Sequence, residues 1–221
     1  MKASRRAVLF DLDGTLIDSA PDLAAAANGL RSARGLPPLP YEFLRPMVGA
    51  GARGMVGVAF GVAPGEPEFE PLKKEFLSRY EEGLLMRTRV FQDMERVLSQ
   101  LDSRHVPWGI VTNKAKRFAD PVVRGLGLQG RAAVVICGDT TPHSKPHPEP
   151  LLEAARRLAV APVDCIYIGD DLRDVQAGRA AGMGVLAAAW GYLGQGESIE
   201  KWGADAVLQH PLEVLRFLDV A

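Results

Sequence analysis

The sequence predicts an α/β protein, a doubly wound parallel sheet interrupted once by an all-helical block. Three observations carry this expectation. Short apolar runs alternate with amphipathic helical stretches over most of the chain, the pattern of a parallel sheet covered on both faces. One stretch of about 70 residues after the first strand shows helical patterns and no convincing strand. The chain has 221 residues, more than the roughly 150 of one domain and fewer than two domains need.

The elements follow in order. Residues 6–10 (RAVLF) are a continuous apolar strand that stops at Asp11. Further strands are expected at 106–112 (VPWGIVT), 133–137 (AVVIC) and 165–168 (CIYI), with weaker patterns at 185–188 and 206–208. Amphipathic stretches at 94–103, 115–126, 149–158 and 172–181 supply the helices between them. The strand-poor block carries helical patterns at 22–34, 41–47, 54–60 and 70–84. Pro37-Pro38-Leu39-Pro40 and Pro64-Gly65-Glu66-Pro67 break it into pieces. The expected division is therefore an α/β core of residues 1–16 and 90–221, with a helical insertion at 17–89. An insertion at that point lies above the carboxyl ends of the strands, where open α/β sheets bind ligands, and so is a lid candidate.

Composition narrows the function classes. Hydrophobic residues are 47 % and charged residues 24 %, which is globular usage and excludes a disordered chain. Lys plus Arg number 26 against 27 Asp plus Glu, a net charge of -1, which argues against a general nucleic-acid binder. No apolar run approaches the roughly 18 residues of a membrane helix. The N-terminal MKASRR and the apolar run that ends at Asp11 are too short for a signal-peptide core. Cys137 and Cys165 sit inside apolar runs and read as buried thiols in a reducing compartment, which places the chain in the cytoplasm.

Four constellations carry chemistry, each just after an expected strand. The first is Phe10-Asp11-Leu12-Asp13-Gly14-Thr15. Carboxylates at i and i+2 on a strand project to one face. Such a pair is stabilised by a cation between its members, most simply Mg2+ with its oxygen ligands. A turn with a helix cap is the competing account. The second is Ile110-Val111-Thr112-Asn113-Lys114, where Thr112 and Asn113 offer a hydroxyl, an amide and backbone N–H groups to an anion, or else cap a helix. The third is Ser144-Lys145-Pro146-His147-Pro148. A Lys before Pro has a restricted backbone, so its ammonium is aimed, and beside a phosphate it neutralises charge. His143 and His147 read as loop residues, because the prolines argue against a metal-binding helical face. The fourth is Ile168-Gly169-Asp170-Asp171-Leu172-Arg173-Asp174. Asp170 is the better candidate for a metal ligand, Asp171 the alternative, and Asp174 can orient Lys145 or waters. In a parallel sheet all four converge on one carboxyl edge. An acidic metal site beside Thr, Asn and Lys suits phosphoryl chemistry.

Gly49-Ala50-Gly51-Ala52-Arg53-Gly54 spells a dinucleotide fingerprint, but it follows a helical, proline-interrupted stretch in place of a strand. It reads instead as a flexible loop over the site, with Arg53 as an anion reader for the substrate.

With these motifs in hand, the chain resembles the haloacid-dehalogenase-like hydrolase superfamily over essentially its whole length. Its motifs stand as Asp11-Leu-Asp13-Gly-Thr15, Thr112-Asn113, Lys145-Pro146 and Gly169-Asp170-Asp171-x-x-Asp174. The helical block resembles the cap inserted after the first motif in the phosphoglycolate-phosphatase-like branch. The resemblance implies a Rossmann-like core and a Mg2+-dependent phosphatase. It implies Asp11 as the nucleophile that forms an aspartyl-phosphate and Asp13 as general acid and base. Asp11, the Asp13 backbone carbonyl and Asp170 would hold Mg2+, and Thr112, Asn113 and Lys145 the phosphate. Asp13 also separates the phosphatases from the dehalogenase branch, which lacks that acid. Within the phosphatases, residues 51–56, 111–121, 169–174 and 202–205 look closest to those acting on N-acetylmuramic acid 6-phosphate, with those acting on phosphoglycolate as the other relatives.

The partner implied is a small phosphorylated metabolite, with neither nucleic acid nor membrane. Two other functions keep the same polar groups. One is a sugar-phosphate mutase, which uses the same nucleophile and acid; the other is a non-catalytic phosphometabolite sensor.

Overall fold

The first strand, β1 (Ala7–Phe10), is AVLF and wholly buried, as a parallel strand covered on both faces must be. It belongs to a computed structural model in which residues 7–218 are described. Arg6, expected as the first strand residue, and the N-terminal MKASRR lie outside the described residues. After a turn through Asp13 and Gly14, the chain forms a two-residue strand, β2 (Ile17–Asp18). It then enters α1 (Ala20–Ser32), α2 (Tyr41–Leu44), a 3-10 turn over Arg45–Ala50, α3 (Gly51–Phe60) and α4 (Phe69–Glu82). It returns through β3 (Arg89–Val90), which pairs antiparallel with β2.

The rest of the chain alternates as expected: α5 (Met94–Ser103), β4 (Trp108–Val111), α6 (Lys116–Gly125), β5 (Val134–Ile136), α7 (Glu149–Leu158), β6 (Cys165–Gly169), α8 (Leu172–Ala180), β7 (Gly184–Ala188) and β8 (Ala206–Leu208). Six strands make one sheet in the order β5-β4-β1-β6-β7-β8, every pair parallel. Strand order reverses beside β1, which is the switch point where such sheets bind ligands.

Packing follows the sequence periodicity. In α5 the buried residues are Met94, Val97, Leu98 and Leu101, one helical stripe, and they pack on Val8, Phe10 and Trp108. Trp108 meets Phe10 edge to face at 6.4 Å and donates its indole N–H to Asp102. On the other face of the sheet, Leu9, Val111 and Tyr167 pack against Leu151, Ala154 and Ala155 of α7. The helices between β2 and β3 have a cluster of their own, with Leu23, Ala27 and Leu30 against Met55, Leu72 and Phe76. Phe118 of α6 and Tyr192 join that cluster from the sheet side. Tyr192 and Trp202 are buried.

Two features of the helical layer differ from the sequence reading. The segment 49–54, read as a flexible loop, forms the end of the 3-10 turn and the first turn of α3. Its glycines lower helix propensity, but Gly54, Met55, Val56 and Ala59 are buried, and tertiary packing overrides the local preference. The β2–β3 ladder was also not expected. It is fixed by the buried Asp22 of α1, whose carboxylate accepts from the N–H groups of Arg87 and Thr88 and from the Thr88 hydroxyl at 2.7–3.1 Å.

Candidate active site

A cavity of about 350 Å³ lies between the carboxyl edge of the sheet and the helical layer. Its sheet side carries Asp11, Asp13, Thr112, Asn113, Lys145, Asp170, Asp171 and Asp174. Three strands deliver most of them: Asp11 follows β1, Thr112 follows β4 and Asp170 follows β6. Pairing of Phe10 with both Ile110 and Ile168 keeps these strand ends level. The opposite wall is apolar, from Leu23, Val48, Phe76 and Leu77.

Lys145 is at the centre of the floor and only 4 % exposed. Its Nζ lies 2.9 Å from Asp11 Oδ1 and 2.7 Å from Asp174 Oδ1. It also lies within hydrogen-bonding distance of the Val111 carbonyl and the Tyr167 hydroxyl. Burial alone would lower its pKa, but Asp11 and Asp174 outweigh burial and hold it above the ordinary value. Asp174 also accepts the Asp171 N–H and completes a capping box at the start of α8, so helix geometry fixes the carboxylate that holds Lys145.

Asp170 is 2 % exposed and accepts from Thr15 Oγ1 at 2.9 Å and from the Tyr192 N–H at 2.8 Å. Glycines close round it. A Cβ on Gly14 would stand 2.1 Å from Asp170 Oδ2, and one on Gly191 would stand 2.2 Å from Asp170 Cβ. No Lys, Arg or His among the described residues reaches Asp170 at ion-pair distance. Burial, then the charges of Asp11 and Asp174, push its carboxyl well above the usual range. Asp11 is likewise raised by burial, with Lys145 pulling the other way and Asp174 adding to the rise.

One oxygen each from Asp11, Asp170 and Asp174 lies within 4.8 Å of the others. Lys145 offsets one of these charges. The remaining charge and the all-oxygen donor set fit a hard divalent cation. Asp174 accepts from Lys145, Tyr167 and the Asp171 N–H, Asp11 shares Lys145 with it, and Asp170 accepts only from neutral donors.

Other expected site residues fall in different places. Asn113 lines the cavity, and its side-chain amide is engaged on the Lys145 backbone. It donates to the Lys145 carbonyl and accepts the Lys145 N–H, both at 2.9 Å, and so clamps the backbone of the loop that carries Lys145. Asp171 caps α8 and pairs with Arg173 at 2.8 Å, and this pairing outweighs burial and lowers its pKa. Arg53 is exposed and does not line the cavity; it lines a smaller neighbouring one of about 200 Å³. His143 and His147 stack on each other at 4.3 Å in a loop.

Lys114 was not singled out from the sequence. Its ammonium lies 3.0 Å from Asp13 Oδ1 and 2.8 Å from the Tyr80 hydroxyl. Burial would lower its pKa, and Asp13 with Tyr80 reverses this and raises it. Its place directly after Thr112-Asn113 was the available signal. Arg45 and Arg173 were missed too. Arg45 donates to the carbonyls of Trp190 and Gly191, and Arg173 to that of Gly49, so each ties the helical layer to the sheet side.

A family model for haloacid dehalogenase-like hydrolases matches residues 8–188. The chain belongs to this family. The N-acetylmuramic acid 6-phosphate phosphatase of Pseudomonas aeruginosa is 44 % identical over 222 residues, covering 100 % of this chain and 98 % of that protein. A phosphoglycolate phosphatase of Xanthomonas campestris is 48 % identical over 207 residues, covering 93 % of each. A crystal structure described as a predicted phosphoglycolate phosphatase from Haemophilus somnus superposes with a TM-score of 0.84 at 26 % identity, covering 96 % of this chain and 97 % of that one. This haloacid dehalogenase-like hydrolase is a phosphatase, like its named relatives. No helix among the described residues is long and apolar enough to cross a membrane.

Proposed function

We propose that this phosphatase cleaves a phosphate monoester through an aspartyl-phosphate on Asp11, and that its substrate is N-acetylmuramic acid 6-phosphate. The observation that carries the chemistry is the position of Asp11, beside Lys145 on the cavity floor with Asp13 two residues on. An Asp11 carboxylate oxygen attacks phosphorus, and the bond from phosphorus to the alcohol oxygen breaks. Asp13 gives the leaving alcohol its proton, then takes one from the water that hydrolyses the acyl phosphate. Lys145 and the Thr112 hydroxyl bind phosphate oxygens, Asn113 holds the Lys145 backbone, and Asp174 holds its ammonium. Asp11, Asp170 and the Asp13 backbone carbonyl would hold Mg2+. Bound there, Mg2+ offsets the charge of the carboxylates and of the phosphate dianion.

Residues 17–89 act as a cap over this site, and its apolar wall favours a leaving group larger than glycolate. A cavity of about 350 Å³ is of ligand-site size, and glycolate would leave most of it empty. Cys137 and Cys165 are buried thiols without a disulfide, which suits the reducing cytoplasm.

A phosphate-release screen with Mg2+ tests this reading. N-acetylmuramic acid 6-phosphate is expected to exceed 2-phosphoglycolate and common sugar phosphates at least tenfold in kcat/KM. The reverse order would remove the substrate assignment. Isomerised sugar phosphate without free phosphate would mean a mutase, and tight binding without turnover a sensor.

A further inference from the structure

Three segments far apart in the chain meet at one ammonium. Lys114 follows β4, Asp13 follows β1, and Tyr80 belongs to α4 in the helical layer. Lys114 Nζ donates to Asp13 Oδ1 at 3.0 Å, to Asp13 Oδ2 at 3.1 Å and to the Tyr80 hydroxyl at 2.8 Å. An ammonium has three protons, and these contacts engage all of them. The Lys114 side chain is 8 % exposed, and its ammonium also lies 4.7 Å from the centroid of the Tyr80 ring. Its backbone N–H donates to Thr112 Oγ1, so the residue is pinned at both ends. The Ser19 hydroxyl, at the start of α1, donates to Asp13 Oδ1. Tyr80, carried by α4, is buried and packs on the ring of Phe118 in α6 at 5.7 Å, so its hydroxyl reaches the sheet side from the helical layer.

We propose that Lys114 is the positioning residue for the Asp13 carboxyl, and that Tyr80 makes this placement depend on the helical layer lying over the sheet edge. A carboxyl gripped at both oxygens by one ammonium has its plane set, which aims it at the leaving oxygen. Tyr80 reaches that ammonium from the opposite layer, so a shift of α4 away from the sheet removes one of its three partners. Without that third partner the chain from the cap to the proton donor is broken. Proton delivery is thus tied to the arrangement in which α4 lies over the sheet edge.

The proposal rests on the reading of Asp13 as proton donor, and the test separates the two. kcat/KM is measured with Mg2+ for two esters. One is p-nitrophenyl phosphate, whose leaving group needs no proton. The other is a sugar 6-phosphate that the wild-type enzyme turns over, whose alcohol does. General acid catalysis contributes roughly 10²–10⁴-fold, so only the sugar phosphate should reveal its loss. Asp13→Asn serves as reference. Lys114→Met is expected to lose at least tenfold more on the sugar phosphate than on the aryl phosphate. Tyr80→Phe, which keeps the ring and its packing, is expected to show a smaller split of the same sign. Equal losses on both esters in Lys114→Met would overturn the positioning role and indicate plain phosphate binding. A split in Lys114→Met with none in Tyr80→Phe would overturn the dependence on the helical layer. If Asp13→Asn itself shows no split, the reading of Asp13 as acid falls, and the proposal with it.

Discussion

Gly191→Ala is a one-carbon test of how tightly the cavity floor is built around Asp170. Gly191 has an ordinary φ, so an alanine there meets no backbone strain of its own. Its Cβ would stand 2.2 Å from Asp170 Cβ and 2.5 Å from both Cγ and Oδ2. Ordinary contact begins near 3.4 Å, so Asp170 must retreat by about 1 Å. That retreat stretches the bonds from Thr15 and the Tyr192 N–H, now 2.9 and 2.8 Å, beyond useful length. Overpacking costs about 1–3 kcal/mol, and a lost hydrogen bond to a charged group costs about 1.5–3 kcal/mol. A total of about 2.5–6 kcal/mol corresponds to a fall in melting temperature of roughly 5–24 °C at this chain length. A displaced Asp170 that weakens Mg2+ binding by about 1.4 kcal/mol raises the Mg2+ half-saturation tenfold. The assays are a thermal melt and phosphate release against Mg2+ concentration. Gly194→Ala is the control. Its φ is +67° and nothing lies within 4 Å of the new carbon, so it loses about 1–2 kcal/mol to strain and keeps the wild-type Mg2+ midpoint. A Gly191→Ala enzyme with wild-type melting and wild-type Mg2+ dependence would refute the reasoning.

Two further outcomes follow from the same geometry. Asp174→Asn leaves the buried Lys145 paired with Asp11 alone; a urea melt should show a loss of about 1.5–3 kcal/mol, and an unchanged midpoint would contradict the role given to that ion pair. The Cys137 thiol is raised to about 11 from 9.0 by burial and by Asp120 and Asp139. Its thiolate fraction at pH 8 is then about 100-fold below that of an ordinary thiol, and iodoacetamide should label the folded protein at least that much more slowly than the urea-unfolded protein. Equal rates would count against the buried position of this side chain.

The parallel sheet and the four motifs were legible because parallel strands must be apolar throughout. Polar residues that end such runs, Asp11, Thr112 and Asp170, are therefore visible as the carboxyl edge. What was not legible depended on distance in the chain. The Lys114–Asp13 contact joins residues 101 apart, and the Lys114–Tyr80 contact joins residues 34 apart; no local period reports either. Asn113 shows the converse limit. Its residue type and place fit an anion donor, but its amide matches the Lys145 backbone 32 residues on, and that two-point bond takes it. Arg53 and the segment around it were misread because Gly49, Gly51 and Gly54 suggest a mobile loop, whereas burial of Met55 and Val56 extends α3 back to Gly51. The two-residue strands β2 and β3 are too short to carry a period, and the carboxylate of Asp22 holds them together.

The central claim is that Asp11 carries the phosphoryl group during turnover. The direct measurement uses Asp13→Asn, which under the proposed mechanism lacks the base that activates water and should accumulate the intermediate. The variant is mixed with p-nitrophenyl phosphate and Mg2+, quenched in acid, digested and read by mass spectrometry. One phosphoryl group on the peptide containing Asp11, absent when Asp11→Asn is added to the same chain, is the result expected. Phosphate release with no phosphorylated peptide, or a phosphoryl group on another residue, would contradict the account.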